Sequence, residues 1–397
     1  MSEWKEYQLS ELADVIMGQS PPSSAYNEEN IGLPFLQGCA EFGDDYPNAR
    51  IYCTDPKKLA PANSILISVR APVGLTNKSD KEYVIGRGLA AIVPTKGDLE
   101  FLYYQLNQSK HKLDRVSQGS TFLAINSNDL NYFLIDAPIL KNTQRKIARI
   151  LSTADAVIEK TQAAIAKYKA IKQGMLHDLF TCGIDPATNK LRPIYQDAPH
   201  LYKPSKLGWI PKEWEVLSVA DVSENLDGKR IPVKQEDRDK QAKIYPYYGA
   251  SGIIDYVDDY IFDEPLILLG EDGENVVSRN LPLAFKVEGK YWVNNHAHVL
   301  RPIKDISTIE FLCEALEFID YSSIVSGSAQ PKITQGHLSK ILLRMPKIEE
   351  QEDIGSMIQS INQKLQTEQS YLHKMQQIKA GLMADLLSGK KEVTVEE

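Results

Sequence analysis

Residues 143–180 read TQRKIARILSTADAVIEKTQAAIAKYKAIKQGMLHDLF, and residues 350–387 read EQEDIGSMIQSINQKLQTEQSYLHKMQQIKAGLMADLL. Neither stretch contains proline, and both contain little glycine. In the first, apolar side chains recur at alternating steps of four and three: Ile147, Leu151, Ala154, Ile158, Ile165, Met175 and Leu179, with Tyr168 in register. In the second they are Ile354, Ile358, Ile361, Leu365, Leu372, Met375, Leu382 and Leu386. This is an a/d heptad seam, which predicts two long helices. At ~1.5 Å per residue each extends about 57 Å, long enough to separate two domains. Both seams break at matching places, Thr161 with Glu368 and Lys172 with Lys379, so the helices are expected to pair in one register. Residues 141–180 carry net +5 and residues 346–387 net −2, and opposite signs beside a seam favour pairing of unlike helices.

Outward from the seams, the chain repeats itself. Trp4, Leu9 and Leu12 recur 210 positions later as Trp214, Val219 and Val222. Gly119, Ser120, Ile125, Leu130 and Pro138 recur 208 positions later as Gly327, Ser328, Ile333, Leu338 and Pro346. Gln144 and Gln351, 207 apart, open the two long segments. A period of half the chain signals a duplicated domain rather than a solenoid. The regions before each helix show short β-type runs at 64–69, 90–93, 266–269 and 291–293, punctuated by Gly and Pro turns. One short helix is expected near 99–107 and another near 309–318. The expected organisation is a domain over 1–140, a helix over 141–180, a connector over 181–213, a second domain over 214–345, a second helix over 346–388 and a disordered tail over 389–397. The connector holds five prolines, yet Leu191, Ile194, Tyr195, Leu201, Tyr202 and Trp209 give it the apolar content of a structured strap.

The 397 residues include 45 Lys and Arg against 53 Asp and Glu, a net charge of −8. This excludes a generally polyanion-binding surface. Residues 1–140 sum to −5, 181–345 to −5 and 346–397 to −3, so 141–180 is the one basic segment. A nucleic-acid ligand would need local patches or charge supplied by a partner. No apolar run is long enough to span a bilayer, and the first residues lack the pattern of a signal peptide, which points to the cytoplasm. Cys39, Cys53, Cys182 and Cys313 lie far apart with no CxxC pair, against a zinc site or a disulfide framework. There is no GxxxxGK[ST] phosphate loop, no GxGxxG, no GxSxG elbow and no Asp-Pro-Pro or Asn-Pro-Pro tripeptide. His296 and His298 share one face of a predicted strand and read as structural or DNA-contacting rather than metal-binding. Asp272 with Glu288-Gly289-Lys290 resembles the acidic-plus-ExK spacing of some metal-dependent nucleases, but the first half shows no clear counterpart and a hairpin turn between 283–287 and 291–293 is the favoured reading.

Several stretches carry a family likeness. In the first half they are ISVRAPVG (67–74), IGRGLAAI (85–92) and QGSTFLAI (118–125). In the second they are YYGASGIIDY (247–256), LLGEDGEN (268–275), WVNNHAHVL (292–300) and SGSAQPKI (326–333), preceded by the connector ending LGWIPKEWEV. With the duplication and the paired helices, the chain resembles the specificity subunit of a Type I restriction–modification system. That resemblance implies an α+β chain: two similar mixed α/β target-recognition domains separated by a long antiparallel two-helix coiled coil, related by a pseudo-twofold axis. It implies recognition of double-stranded DNA at a bipartite, asymmetric target. The partners it implies are two modification subunits carrying S-adenosylmethionine, and restriction subunits that join through them. It assigns this chain no catalysis, cofactor or metal.

Base reading needs side chains that form paired hydrogen bonds in the major groove. The glycine-rich loops offer Arg70, Arg87, Gln118, Ser120 and Thr121 in the first domain. In the second they offer Tyr248, Ser251, Asn294, Asn295, Ser328, Gln330 and Lys332. For each of these, a phosphate contact or a role within a turn is the alternative. Gly119 and Gly327 read as backbone-shaping residues, and Trp4 and Trp214 as core anchors. Arg145, Arg149, Lys160 and Lys167 on the first long helix are candidate subunit-docking residues. A coiled-coil scaffold with protein-binding ends, and a nuclease using Asp272, Glu288 and Lys290, are the competing readings.

Overall fold

The computed structural model describes residues 3–117, 124–240, 242–322, 324 and 331–394. The chain forms two compact units, Met1–Ala163 with Ser370–Glu397, and Ala164–Gln369. The two long helices are Lys141–Thr181 and Ile348–Leu386. In the second unit, Lys172 of the first helix and Asn362 of the other both reach Glu314, and Leu179 and Phe180 share a core with Ile354 and Ile358. In the first unit, Lys379 reaches Asp155, and Ile147 and Leu151 share a core with Leu382 and Leu386. Within each unit, therefore, one stretch ascends while its neighbour descends. The seam supplies the reason, because its apolar side chains are covered only when that face is buried.

Each unit builds the same four-stranded antiparallel sheet. In the first the order is Ala13–Met17, Leu89–Pro94, Ile65–Ser68, Thr76–Lys78. In the second it is Ser223–Asn225, Ala297–Pro302, Leu266–Gly270, Ala284–Val287. The strands Ile65–Ser68 and Leu266–Gly270 are buried along their whole length, which explains why they read as unbroken apolar runs rather than alternating ones. A second sheet in each unit contains one parallel pair, Leu33–Leu36 with Tyr83–Ile85 and Tyr245–Gly249 with Lys290–Val293. Each unit also has a two-stranded ribbon, Trp4–Gln8 with Leu134–Pro138 in the first and Glu215–Ser218 with Leu342–Met345 in the second.

The repeated glutamines act as staples. Gln144 donates to the Pro138 carbonyl (2.8 Å) and accepts from the Asp98 N–H (2.9 Å). Gln351 donates to the carbonyls of Pro346 and Ile306 (2.9 Å each) and accepts from the Thr308 N–H (2.9 Å). Asp98 and Thr308 cap the short helices Leu99–Gln108 and Ile309–Phe318. One buried amide thus joins ribbon, short helix and long helix. Trp214 is fully buried, while Trp4 is half-buried with its ring centroid 6.2 Å from that of Phe101. After each long helix the chain turns at a left-handed glycine, Gly183 (φ 67°) and Gly389 (φ 71°). A Cβ would fall 2.3 Å from the Trp214 ring at the first and 2.9 Å from the Trp4 ring at the second, so glycine is required twice over. Of the stretch expected to lack order, Val393 packs on the first unit's core and the Lys391 N–H reaches the Asp385 carbonyl. The connector forms small hairpins, Ile184–Asp185 with Lys190–Leu191 and Tyr202–Ser205 with Gly208–Pro211, with Tyr195 stacked on Trp209 at 4.3 Å.

Candidate nucleic-acid interface

In the first unit the buried strand Ile65–Ser68 runs out into Val69 and Arg70. The Val69 N–H donates to the Gly88 carbonyl (2.9 Å), and the Val69 carbonyl accepts from the Ile125 N–H (3.0 Å). Arg70 forms a bridge with Ala124. Residues 69–70, 88 and 124–125, from three family-like stretches far apart in sequence, therefore meet at one strand end. The second unit repeats the arrangement. The Glu271 N–H donates to the His296 carbonyl (2.9 Å), the Glu271 carbonyl accepts from the Ile333 N–H (2.8 Å), and Asp272 bridges Lys332. Residues 271–272, 296 and 332–333 meet there. The Asn294 N–H bonds the Tyr248 carbonyl (3.0 Å), which brings in 247–256.

The two strand ends differ in chemistry. In the first unit Arg87 is exposed between Gly86 and Gly88. A Cβ on Gly86 would lie 2.8 Å from Gln37 Oε1, and one on Gly88 would lie 2.6 Å from the Gln37 carbonyl, so both glycines serve the close approach of that chain segment. The Arg87 N–H donates to Ser20 Oγ (3.2 Å), and Ser20 and Gln37 are hydrogen-bonded to each other (3.2 Å). Among the described residues, neither the Arg70 nor the Arg87 guanidinium is spent on an ion pair. Ser20 and Gln37 were missed from sequence because neither lies in a family-like stretch.

In the second unit the charges are internally matched. Arg230 donates through Nη1 to Glu271 (2.7 Å) and to the Ala297 carbonyl (2.7 Å), and its Nη2 lies 3.4 Å from Asp227. Lys332 Nζ lies 3.0 Å from Glu271, and His296 Nδ1 lies 2.9 Å from Asp272. His298, buried, contacts Asp227 through Nδ1 (2.6 Å) and the Ile333 carbonyl through Nε2 (2.8 Å). Burial works to raise the Glu271 carboxyl, but hydrogen bonds from Arg230 and Lys332 hold it below the ordinary range. Burial likewise opposes ionisation of Asp227, and the bond to His298, the Val299 N–H and the nearby Arg230 together outweigh it and hold the carboxyl low. The Lys332 ammonium is raised by its bond to Glu271. Arg230, Asp227 and Glu271 escaped the sequence reading because, the local Arg230–Asp227 contact apart, their partners are 41 to 72 positions away.

The remaining candidates fall into place as follows. Tyr248 is half-buried, with its ring edge-on to Tyr291 at 5.8 Å, and burial raises its phenol. Asn294 is buried and its Oδ1 accepts from the His296 N–H (2.8 Å), a bond that shapes the turn. Ser251 and Asn295 are exposed. Gln118, Ser120, Thr121, Ser328 and Gln330, with Gly119 and Gly327, lie outside the described residues. Arg149, Lys160 and Lys167 are exposed on the first long helix, and Arg145, 61% exposed, lies 3.6 Å from Asp98.

The nuclease reading does not survive the geometry. Asp272 follows one end of the pair Leu266–Gly270 with Ala284–Val287, whereas Glu288 follows Val287, which pairs with Leu266 at the other end. The four steps between span on the order of 13 Å, too far for two carboxylates to share one ion at ~2 Å from each. Glu288 instead contacts Lys286 (3.4 Å), and Lys290 lies over the Tyr260 ring. Among the described residues, no group of three or more His, Cys, Asp or Glu is placed to hold a metal, and no helix is long and apolar enough to cross a membrane.

A family model described as Type I restriction modification DNA specificity domain matches residues 1–168 and again 211–377. A putative type I restriction enzyme MjaX specificity subunit from Methanocaldococcus jannaschii is 40% identical over 183 residues, covering 45% of this chain and 43% of that protein. The chain thus spans less than half the length of that relative. The type I restriction enzyme MjaIX specificity subunit of the same organism is 25% identical over 366 residues, covering 86% of this chain and 80% of its own. The crystal structure of the Type-I restriction-modification system S subunit from M. genitalium superposes with a TM-score of 0.67 at 18% identity, covering 99% of this chain and 97% of that one, which is a likeness of fold.

Proposed function

Because this chain belongs to the family of type I restriction–modification DNA specificity domains, we propose that it reads a bipartite, asymmetric target in double-stranded DNA and does no chemistry itself. Residues 1–140 and 214–345 would act as the two readers and the long helices as the spacer between them. One observation carries this reading. In each unit residues from three family-like stretches are joined by the same two backbone hydrogen bonds, at Val69 and at Glu271. A repeated platform with unlike side chains suits two readers of unlike half-sites. Arg70 and Arg87 are the leading base contacts in the first unit, since an unpaired guanidinium can fork onto guanine O6 and N7. In the second unit Ser251 and Asn295 take that place, while Tyr248, Asn294 and Lys332 hold the platform together.

With a net charge of −8, the chain is unsuited to binding DNA at full strength alone. It would dock two modification subunits, with Arg145, Arg149, Lys160 and Lys167 on the docking side and restriction subunits joining through them. The test is expression with a modification subunit in cells lacking other adenine methylation, followed by mapping of methylated adenines. Two short specified blocks at a fixed gap are expected. A contiguous motif, or none, would overturn the reading.

A further inference from the structure

The internal repeat exposes a difference between the two ribbons. In the second unit the outward face of Leu342–Met345 is covered by the connector. Arg344 Nη2 donates to the Leu207 carbonyl (2.6 Å), and Leu342 lines the hollows shared with Leu207 on one side and with Lys203, Ser205 and Ile210 on the other. In the first unit the matching face is bare among the described residues. Leu134, which corresponds to Leu342, is 48% exposed, and Asp136, which corresponds to Arg344, is also exposed. Strand pairing sets Gln8 opposite Leu134 and Glu6 opposite Asp136, so all four share this face.

The residues around the face changed with it. Tyr132 is 64% exposed, Ile139 48% and Leu140 63%. At the positions matching Tyr132 and Ile139, 208 later, the second unit has Lys340 and Lys347. Apolar side chains thus stand in the uncovered unit where the covered unit carries lysine. Exposed apolar side chains gathered along one ribbon in this way mark a contact surface. Glu3, Glu6 and Asp136 stand among and beside them and make the face negative.

We propose that this face, from Tyr132 through Leu134 to Ile139 and Leu140, docks a modification subunit through an apolar segment flanked by lysine or arginine. The segment takes the place that the connector occupies on the second unit. The inference rests on the functional reading above and adds to it a surface off the long helices. Charge complementarity selects the basic flanks, and the covered twin selects a polypeptide rather than DNA, whose phosphates the negative face would repel.

The double variant Tyr132→Lys/Ile139→Lys installs the residues that the second unit already carries at matching positions. Both sites are exposed, so the melting temperature should not move. Native mass spectrometry of the full chain with the modification subunit should give two modification subunits on the wild type and one on the variant, with at least a tenfold loss of affinity at the altered site. If the double variant melts early, Leu140→Lys alone carries the test. A variant that retains both subunits at wild-type affinity overturns the face. A wild-type chain that captures no modification subunit overturns the functional reading instead.

Discussion

Replacing Glu350 by glutamine tests how the connector is held to the rest of the second unit. The Glu350 carboxylate is 2% exposed and accepts four hydrogen bonds: two from Arg192 (Nη2 at 3.0 Å), one from Trp214 Nε1 (3.0 Å) and one from the Ile184 N–H (2.8 Å). Arg192 is itself buried; burial pulls its guanidinium down, and Glu350, with the charges of Glu213 and Asp185, more than restores it. Glu350→Gln keeps the shape and one acceptor oxygen but leaves a buried cation without its counter-charge. Removing one partner of a buried pair costs about 3–5 kcal/mol. For a unit of about 200 residues that lowers the melting temperature by roughly 6–20 °C. Calorimetry of the full chain should show one transition displaced by that amount. Adding Arg192→Met removes the stranded charge. The amide oxygen then accepts from Trp214 Nε1 or from the Ile184 N–H but not from both, because those donors bond different oxygens of the carboxylate. The double variant should therefore regain the part of the loss that the stranded charge causes and keep the cost of one unmet donor, about 1–3 kcal/mol. A single variant that loses less than about 1 kcal/mol, or a double variant no better than the single, would refute the account.

Two further outcomes concern reading. Arg87→Ala should erase one specified position in one half-site, with about 1–3 kcal/mol of lost discrimination in a binding-selection assay, and leave the other half-site intact. A uniform loss across all sequences would instead make Arg87 a phosphate contact. Inserting seven residues after Ala163 and seven after Gln369 lengthens each helix by about 10.5 Å. The unspecified gap in the methylated motif should grow by about three base pairs at ~3.4 Å each; an unchanged gap would mean that the helices do not set the spacing.

The features legible in sequence were those the repeat or a local period could carry. Heptad spacing located the long helices, and the 207-residue offset marked Gln144 and Gln351 before their staple was visible. The glycine-rich stretches marked the strand ends. Features that depend on distant pairing were not legible. Arg192 meets Glu350 across 158 positions, and neither residue belongs to a motif. Asp272 and Glu288 have nuclease-like spacing, but an antiparallel ladder sends them to opposite ends. Tyr248 and Asn294 sit in a glycine-rich, polar neighbourhood, yet one packs its ring against Tyr291 and the other spends its amide oxygen on a turn.

The shared breaks in the two seams have a physical cause that links the repeat to helix register. Thr161, buried, turns its hydroxyl back to the Val157 carbonyl (2.8 Å) and needs no partner across the seam. The lysines need one. In the first unit Lys379 pairs with Asp155, which also accepts from the Tyr104 hydroxyl (2.6 Å); burial, then that bond, pushes the phenol up. In the second unit Lys172 pairs with Glu314 (3.3 Å), which also accepts from Asn362 (2.9 Å). By the repeat, Tyr104 corresponds to Glu314 and Asp155 to Asn362. The same three positions thus form a lysine–carboxylate contact twice, with the carboxylate moved from the long helix to the short one. A slip of one heptad would carry each lysine away from its acid and leave both partly buried charges unmatched. Apolar seams alone tolerate such a slip, since one heptad layer looks like the next. The interruptions that weaken the seam as a hydrophobic surface are therefore what define its alignment within each unit.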